Sequence, residues 1–326
     1  MTRNKTIFIS ISSFNEEDLL NTIENAVATA RYPKRLSFGI FYHNTQGTFK
    51  DLGSYSKNVY TTSHHSMLGV GVSRSLANQF YSNEDYYLQI DAHTIFDNWW
   101  DDCLINDLEL IKDSGESDKP IISYYLPSWI RLDDDSIVLD KKTYNQTLVW
   151  DHQQMTSSYW DIPIMTTQEV DWYSEKNPFK KHYGIAAQFL FSEGSFCTEM
   201  IPNQEIMFYG EEPTLALRCF SSGYDVFTTL NSYMWHKNKI LSKNPNDDRL
   251  NFSTNNLKLE KDHEQKVARG LARTKEILTG NYFGYWGAKD DKILNVYEET
   301  AEFNFKEFYN RMITLGTGKG LWYEQR

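Results

Sequence analysis

Apolar, β-branched runs alternate with amphipathic helical segments through the first third of the chain, and that rhythm leaves few topologies open. "TIFISIS", Thr6 to Ser12, has the composition of a strand buried on both faces. The next segment is predicted to be a helix with Asn15 as N-cap and acids in its first turn. Leu19, Ile23, Ala26, Val27 and Ala30 recur there at helical spacing, and Pro33 stops the run. "RLSFGIFYHN" reads as a second strand, "SRSLANQFYS" as a helix and "YYLQI" as a strand. "WWDDCLINDLELIKD" then reads as a helix and "PIISYYL" as a strand. Such a βαβ series predicts an α/β fold with a mainly parallel sheet flanked by helices. Ligands of such sheets bind outside the carboxyl ends of the strands. Asn15, His43 and Asp91 each fall just after a strand, so the three are expected at one edge.

Composition agrees with a large core and narrows the class of partner. Apolar residues are 40% and aromatics 15% of the chain, which excludes disorder as a whole-chain state. A net charge of -11 argues against a broad basic face for nucleic acid. Cys103, Cys197 and Cys219 form no C-x-x-C pair and fit a reducing compartment. The opening "MTRNKTIFIS" has no apolar signal region and no window approaches a membrane span. The expectation is a cytoplasmic protein with no membrane partner.

From Pro127 to Tyr183 the pattern is less regular and carries Trp129, Trp150, Trp160 and Trp172. An aromatic-rich insertion of this kind is expected to form a binding surface or lid. Order returns with "GIAAQFLFSEGSF", "GEEPTLALRCFSSGYDVF" and "LNSYMWHK". After a turn-like "KNPNDD" come a predicted helix, "LEKDHEQKVARGLARTKEILTG", and a shorter one around "DDKILNVYEET". The predicted organisation is a core over residues 1–256, with the insertion at 127–183, and a C-terminal helical extension over 257–326.

The stretch "YYLQIDAHTIFDNWWDD" carries the strongest chemical signal. On a strand, Asp91 and His93 share a face, and at a strand-to-loop transition they can converge on one ion. A carboxylate oxygen with an imidazole nitrogen suits Mn²⁺ or a similar divalent ion better than Mg²⁺ or Ca²⁺. Open positions on such an ion suit a diphosphate, whose departure the metal assists as a Lewis acid. The plainer alternative makes Asp91 a cap of the following helix and His93 a surface residue.

That stretch resembles the metal-binding segment of GT-A glycosyltransferases, and in particular the UDP-GlcNAc:polypeptide (hydroxyproline) N-acetylglucosaminyltransferases, glycosyltransferase family 60. Other segments are similar in the same order: "IFISISSFNEEDLLNTIENAVATARYP", "GVGVSRSLANQFYSNEDYY", "MFYGEEPTLALRCFSSGYDVF", "SYMWHK" and "YFGYWGAKDDKILNVYEETAEFNF". Residues 127–183 match worst, and the chain has Phe14-Asn15-Glu16 where the family usually has Tyr-Arg-Asp. The resemblance implies a GT-A, Rossmann-like fold and transfer of a sugar, GlcNAc first among candidates, from a UDP-sugar to a hydroxyl acceptor with retention. It implies Mn²⁺ or Mg²⁺ held by Asp91, His93 and His236, the last of which nothing in local spacing suggests.

By the same resemblance Glu212 belongs at the reaction centre and Glu211 at the sugar or acceptor. Left to the residues alone, the pair caps a helix whose first turn holds Pro213. Arg74 is expected near the nucleotide, with an ion pair to Asp85 or Glu84 as the alternative. Arg218 reaches a phosphate or pairs with an acid. Ser12, Phe14 and Glu16 end the first strand where GT-A folds seat uracil; Phe14 either stacks on the base or joins the core, and His43 ends the neighbouring strand. Trp99 is a candidate anchor for its helix, and packing is expected of both Trp99 and Trp100. The expected partners are a UDP-sugar and a protein hydroxyl. A phage-type alternative is hydroxymethylated DNA, reached through Lys141, Lys142, Lys180 and Lys181. A silent sugar-nucleotide-binding module and a metallohydrolase using Asp91 and His93 on water are the rivals from other classes.

Overall fold

The computed structural model describes residues 5–63, 68–132, 134–140, 145–152, 162–237 and 261–314. Trp160, Lys141, Lys142 and the turn around Pro245 lie outside them. The chain opens with β1 (Ile7–Phe14), α1 (Leu19–Thr29), β2 (Leu36–His43), β3 (Val59–Thr62) and α2 (Val70–Asn78). Next come β4 (Tyr86–Asp91), β5 (Thr94–Phe96), α3 (Trp100–Asp113) and β6 (Pro120–Ile122). The middle supplies β7 (Ser128–Arg131), β8 (Ile137–Leu139), β9 (Thr147–Trp150), β10 (Met165–Gln168), β11 (Phe179–His182) and β12 (Phe189–Glu193). The last third holds α4 (Phe196–Glu199), α5 (Glu211–Ser221), β13 (Asp225–Thr229), β14 (Met234–Lys237), α6 (Lys261–Leu278), α7 (Asp291–Thr300) and α8 (Phe305–Thr314).

The main sheet has eight strands in the order β11-β13-β6-β12-β4-β1-β2-β3. β1 lies between β2 and β4 and pairs in parallel with both. The order therefore reverses at β1, and the crevice beyond the carboxyl ends of β1 and β4 is the ligand-binding place of an open α/β sheet. β12 runs antiparallel to both of its neighbours, so the sheet is mixed although mainly parallel. Ile7, Ile9, Ile11, Leu88 and Ile90 are fully buried, as the apolar composition of these strands requires.

Helix α1 buries Leu19, Ile23 and Ala26 of the expected stripe together with Thr22, while Val27 and Ala30 are half-buried against the same core. It begins later than Asn15, however. Asn15 has φ +50° and its side-chain oxygen accepts from the Thr45 backbone N–H at 2.9 Å, so it ties two loops together and caps no helix. Trp99 is not the anchor of α3 either: it is 61% exposed, while Trp100 is fully buried and donates its indole N–H to the Ala26 carbonyl. Asp101 is buried too, receiving the Arg35 guanidinium at 2.8 Å and the backbone N–H groups of Arg31 and Tyr32.

Among its described residues, the stretch read as irregular contains five short strands that serve three sheets. β7 and β8 join β5 and β14 in a four-stranded sheet, β9 and β10 form a two-stranded one, and β11 extends the edge of the main sheet. Helices α6 to α8 share a core with the main sheet: Ile277, Leu294, Tyr297 and Phe305 belong to the same buried cluster as Phe8, Tyr87 and Leu217.

Candidate active site

β4 delivers Asp91 to the switch-point crevice, and the tight connection to β5 places His93 two residues later on the same side. β14 pairs antiparallel with β5, setting His236 opposite Thr94. The ligand atoms of Asp91, His93 and His236 all lie within 4.8 Å of one another. His236 Nε2 is 3.1 Å from Asp91 Oδ2 and 2.9 Å from His93 Nε2. The structure thus brings together the two residues adjacent in sequence and the one that lies far away.

The donor set fits a divalent ion. One carboxylate and two imidazoles is a borderline-hard combination that Mn²⁺ and its neighbours accept. Two nitrogens 2.9 Å apart have the spacing of adjacent ligands on one ion with metal–nitrogen bonds of about 2.1 Å. His93 Nδ1, which faces away from the cluster, lies 3.2 Å from Glu16 Oε1. Side-chain exposure rises from 9% at His93 to 19% at His236 and 29% at Asp91, so the cluster opens on the carboxylate side.

Behind Asp91 stands Arg74, whose side chain is only 4% exposed. Its guanidinium lies 3.3 Å from Asp91 Oδ1 and 2.7 Å from Glu211 Oε1, and donates to the Ala187 carbonyl at 3.1 Å. Neither Asp85 nor Glu84 is its partner: Asp85 binds Lys5 and Thr6, and Glu84 binds Ser37 and Ser82. Arg74 loses solvation, but Glu211 and Asp91 more than offset that loss and keep it charged. Burial opposes ionisation of Asp91, yet the His236 hydrogen bond with the charges of His236, Arg74 and His93 holds its carboxyl well below the usual range.

Gly210 makes the acid pair possible. Its φ is +100°, and a Cβ there would fall 2.1 Å from Thr274 Oγ1, so only glycine permits the close turn into α5. Glu211 then faces Arg74, while Glu212 Oε1 accepts from the Ala187 N–H at 2.9 Å and Oε2 from the Tyr125 hydroxyl at 3.2 Å. Burial, with repulsion from Asp91, raises Glu211, and Arg74 limits the rise. Burial pushes Glu212 up to about 7, moderated by the Ala187 N–H and Tyr125, while Glu211 adds repulsion.

The remaining candidates separate. Ser12 and Asp91 are register partners across β1 and β4, and the Ser12 hydroxyl donates to Ser73 at 2.6 Å. Phe14 and His43 are paired across β1 and β2 with their rings edge-on at 4.9 Å, next to the same crevice. Arg218 is not gathered there. It donates to the carbonyls of Ile201 and Glu199 and stacks on Tyr285 at 4.0 Å, a bolt between α5 and the C-terminal region. Of the basic groove, Lys180 and Lys181 are paired with Glu175 and Asp225, each at 2.6 Å. Nothing in the sequence marks Tyr125, Gln89 or Ala187 as part of the site. Gln89 donates to the Ala187 carbonyl at 2.9 Å, so one backbone unit is held from both sides. No local pattern marks a backbone amide for that task.

The open α/β sheet thus gathers a carboxylate–imidazole cluster and a buried acid pair at its switch point. Residues 56–302 match the Glycosyltransferase (GlcNAc) family, and the chain belongs to that family. No curated protein matches the sequence. Among solved structures, it is similar to GalNAc-T7 with UDP, GalNAc and Mn²⁺, at 15% identity and a TM-score of 0.53 over 96% of this chain. The chain spans 58% of that protein, less than two thirds of its length. A TarS fragment from S. aureus, residues 1–349 in complex with UDP-GlcNAc, aligns at 10% identity and a TM-score of 0.48, over 98% of this chain and 76% of that one. The likeness to GalNAc-T7 is one of fold, and the fold is GT-A. No described helix is long and apolar enough to cross a membrane.

Proposed function

We propose that the protein transfers GlcNAc from UDP-GlcNAc to a hydroxyl of a protein acceptor (serine, threonine or hydroxyproline), with retention, using Mn²⁺ or Mg²⁺. The convergence of Asp91, His93 and His236 at the sheet's switch point carries this reading. It is supported by the family's GlcNAc designation and by the UDP, GalNAc and Mn²⁺ bound to GalNAc-T7. Three free cysteines agree with action in a reducing compartment such as the cytoplasm.

In this reading Asp91, His93 and His236 hold the divalent ion. When bound, the ion supplies Lewis-acid neutralisation of the diphosphate as the glycosyl group departs. Arg74 favours the ionised forms of both Asp91 and Glu211, against the burial that opposes them. Glu211 faces the sugar or acceptor. Glu212, oriented by Tyr125 and Ala187, stands at the reaction centre, where its carboxylate answers positive charge developing on the anomeric carbon. Phe14 and His43 form the aromatic end of the crevice, where the base sits, with Ser12 and Glu16 at its margin. Arg218 has no part in donor binding. DNA as acceptor gains little from Lys180 and Lys181, which are paired with acids, or from the net charge of -11.

The test is UDP release from UDP-GlcNAc and Mn²⁺, with and without hydroxyl peptides and hydroxymethylated DNA, followed by the anomeric configuration of the product. Peptide-dependent UDP release with an α-linked product is expected. Asp91→Asn should lower it roughly a thousandfold. Release that ignores the acceptor would identify a hydrolase, tight binding without turnover a silent module, and transfer to DNA alone a different acceptor class.

A further inference from the structure

We infer that Glu16 is a positioning residue for the metal centre: its carboxylate accepts the Nδ1 proton of His93 and so fixes the imidazole with its Nε2 lone pair aimed at the ion. The inference rests on the metal reading above and adds to it a residue that the sequence places at the nucleotide end of the crevice.

Two buried groups that need each other sit face to face. Both side chains are under 10% exposed, and His93 Nδ1 lies 3.2 Å from Glu16 Oε1. Neither His93 Nδ1 nor Glu16 Oε2 has a hydrogen-bond partner among the described residues. A buried donor or acceptor left unmade is costly, so a small rotation that completes the Nδ1–H to carboxylate bond is strongly favoured. Tautomer logic points the same way. His236 Nε2 lies between Asp91 Oδ2 at 3.1 Å and His93 Nε2 at 2.9 Å. Asp91 only accepts, so the Nε2–H of His236 donates into this gap, and His93 Nε2 must be the bare nitrogen that receives it. The proton of a neutral His93 therefore sits on Nδ1, opposite Glu16. The tautomer that binds a metal through Nε2 is thus set before any ion arrives.

The backbone of His93 is held just as firmly. Its carbonyl accepts the Trp129 indole N–H at 2.9 Å and the Lys237 backbone N–H at 3.1 Å. With the main chain clamped, ring rotation is the freedom left, and Glu16 restrains it. Glu16 lies on the loop between β1 and α1, whose Asp18 receives Lys237 at 2.8 Å and Arg131 at 2.7 Å. The loop after β1 is thereby fastened to β14, which carries His236, so the second support of the ion and one of its ligands move as one piece. Outer-shell carboxylates of this kind govern metal affinity through ligand basicity and orientation.

Mn²⁺ affinity, read by calorimetry and by the electron-spin-resonance signal of free Mn²⁺, tests this on the purified chain. Asp91→Asn, Glu16→Ala and Glu16→Gln are compared with wild type. Asp91→Asn is expected to abolish binding. Glu16→Ala should weaken it about 10- to 100-fold, while Glu16→Gln, isosteric and still able to accept from Nδ1–H, should lose only part of that. A second readout is the ¹⁵N shift of His93 in the Zn²⁺-loaded protein: Nδ1 protonated in wild type and in Glu16→Gln, and exchange-broadened in Glu16→Ala. If Asp91→Asn abolishes binding while both Glu16 variants bind like wild type and keep the shift, Glu16 has no positioning role and the metal site stands. If Asp91→Asn leaves Mn²⁺ affinity intact, the metal reading itself fails.

Discussion

Arg74 shows how much one side chain can decide. It is the shared counterion of Asp91 and Glu211, and nothing about its own neighbourhood in sequence reveals either partner. The nearby acids Glu84 and Asp85 are the natural guess from spacing, yet they face the start of β1 and β2. Replacing Arg74 with methionine keeps much of the volume but strands two carboxylates, which should cost about 3–5 kcal/mol in urea unfolding and reduce turnover at least a hundredfold. In the proposed function Glu212 sets the pH dependence. Its carboxyl titrates near 7, so the carboxylate that serves transfer is depleted below that pH and filled above it. The rate should climb between about pH 6 and 8 with a midpoint near 7. In Glu212→Gln the residual rate should be far lower and that limb absent; a limb that survives would assign it to another group.

At the scale of elements, α5 and β14 are the parts that turn a sheet into a site. The turn at Gly210 fixes where Glu211 and Glu212 emerge. Gly210→Ala should destabilise the fold by about 2–4 kcal/mol, from a positive φ and the clash with Thr274, and should lower activity through the displaced acids. β11 adds a stability switch away from the chemistry. Buried His182 donates from Nε2 to the Ser123 carbonyl at 3.0 Å, while its Nδ1 faces the Gly184 N–H at 3.3 Å. Burial pushes this imidazole down to about 4, against the pull of the carbonyls. A depressed folded value means the unfolded chain binds the proton more readily. The contribution is therefore complete above the unfolded pKa of about 6.5 and is lost as pH falls toward 4. Thermal melts should show a loss on the order of 3 kcal/mol across that window, flattened in His182→Gln.

Across the whole molecule, what the sequence reveals and what it hides follow from the range of the interactions. Strands β1, β2 and β4 and helices α1 to α3 are set by local apolar periodicity, so their order and the position of Asp91 at a strand end can be read from the letters. The start of α1 and the roles of Trp99 and Trp100 turn on loop contacts and a positive φ, which periodicity does not encode. The antiparallel insertion of β12 and the small sheet that brings His236 to His93 depend on pairings between segments roughly 70 to 140 residues apart, and for His236 only family resemblance supplies the partner. The resemblance points to Arg74 beside the nucleotide, but its pairing with Asp91 and Glu211 and the roles of Ala187 and Tyr125 have no such guide. In the proposed function the chemistry depends on one divalent cation held between β4 and β14. Crystals soaked with Mn²⁺ and UDP, measured at the manganese edge, should give one anomalous peak bounded by Asp91, His93 Nε2 and His236 Nε2, with the diphosphate on its open side. UDP in the crevice with no anomalous peak among those three residues would contradict it.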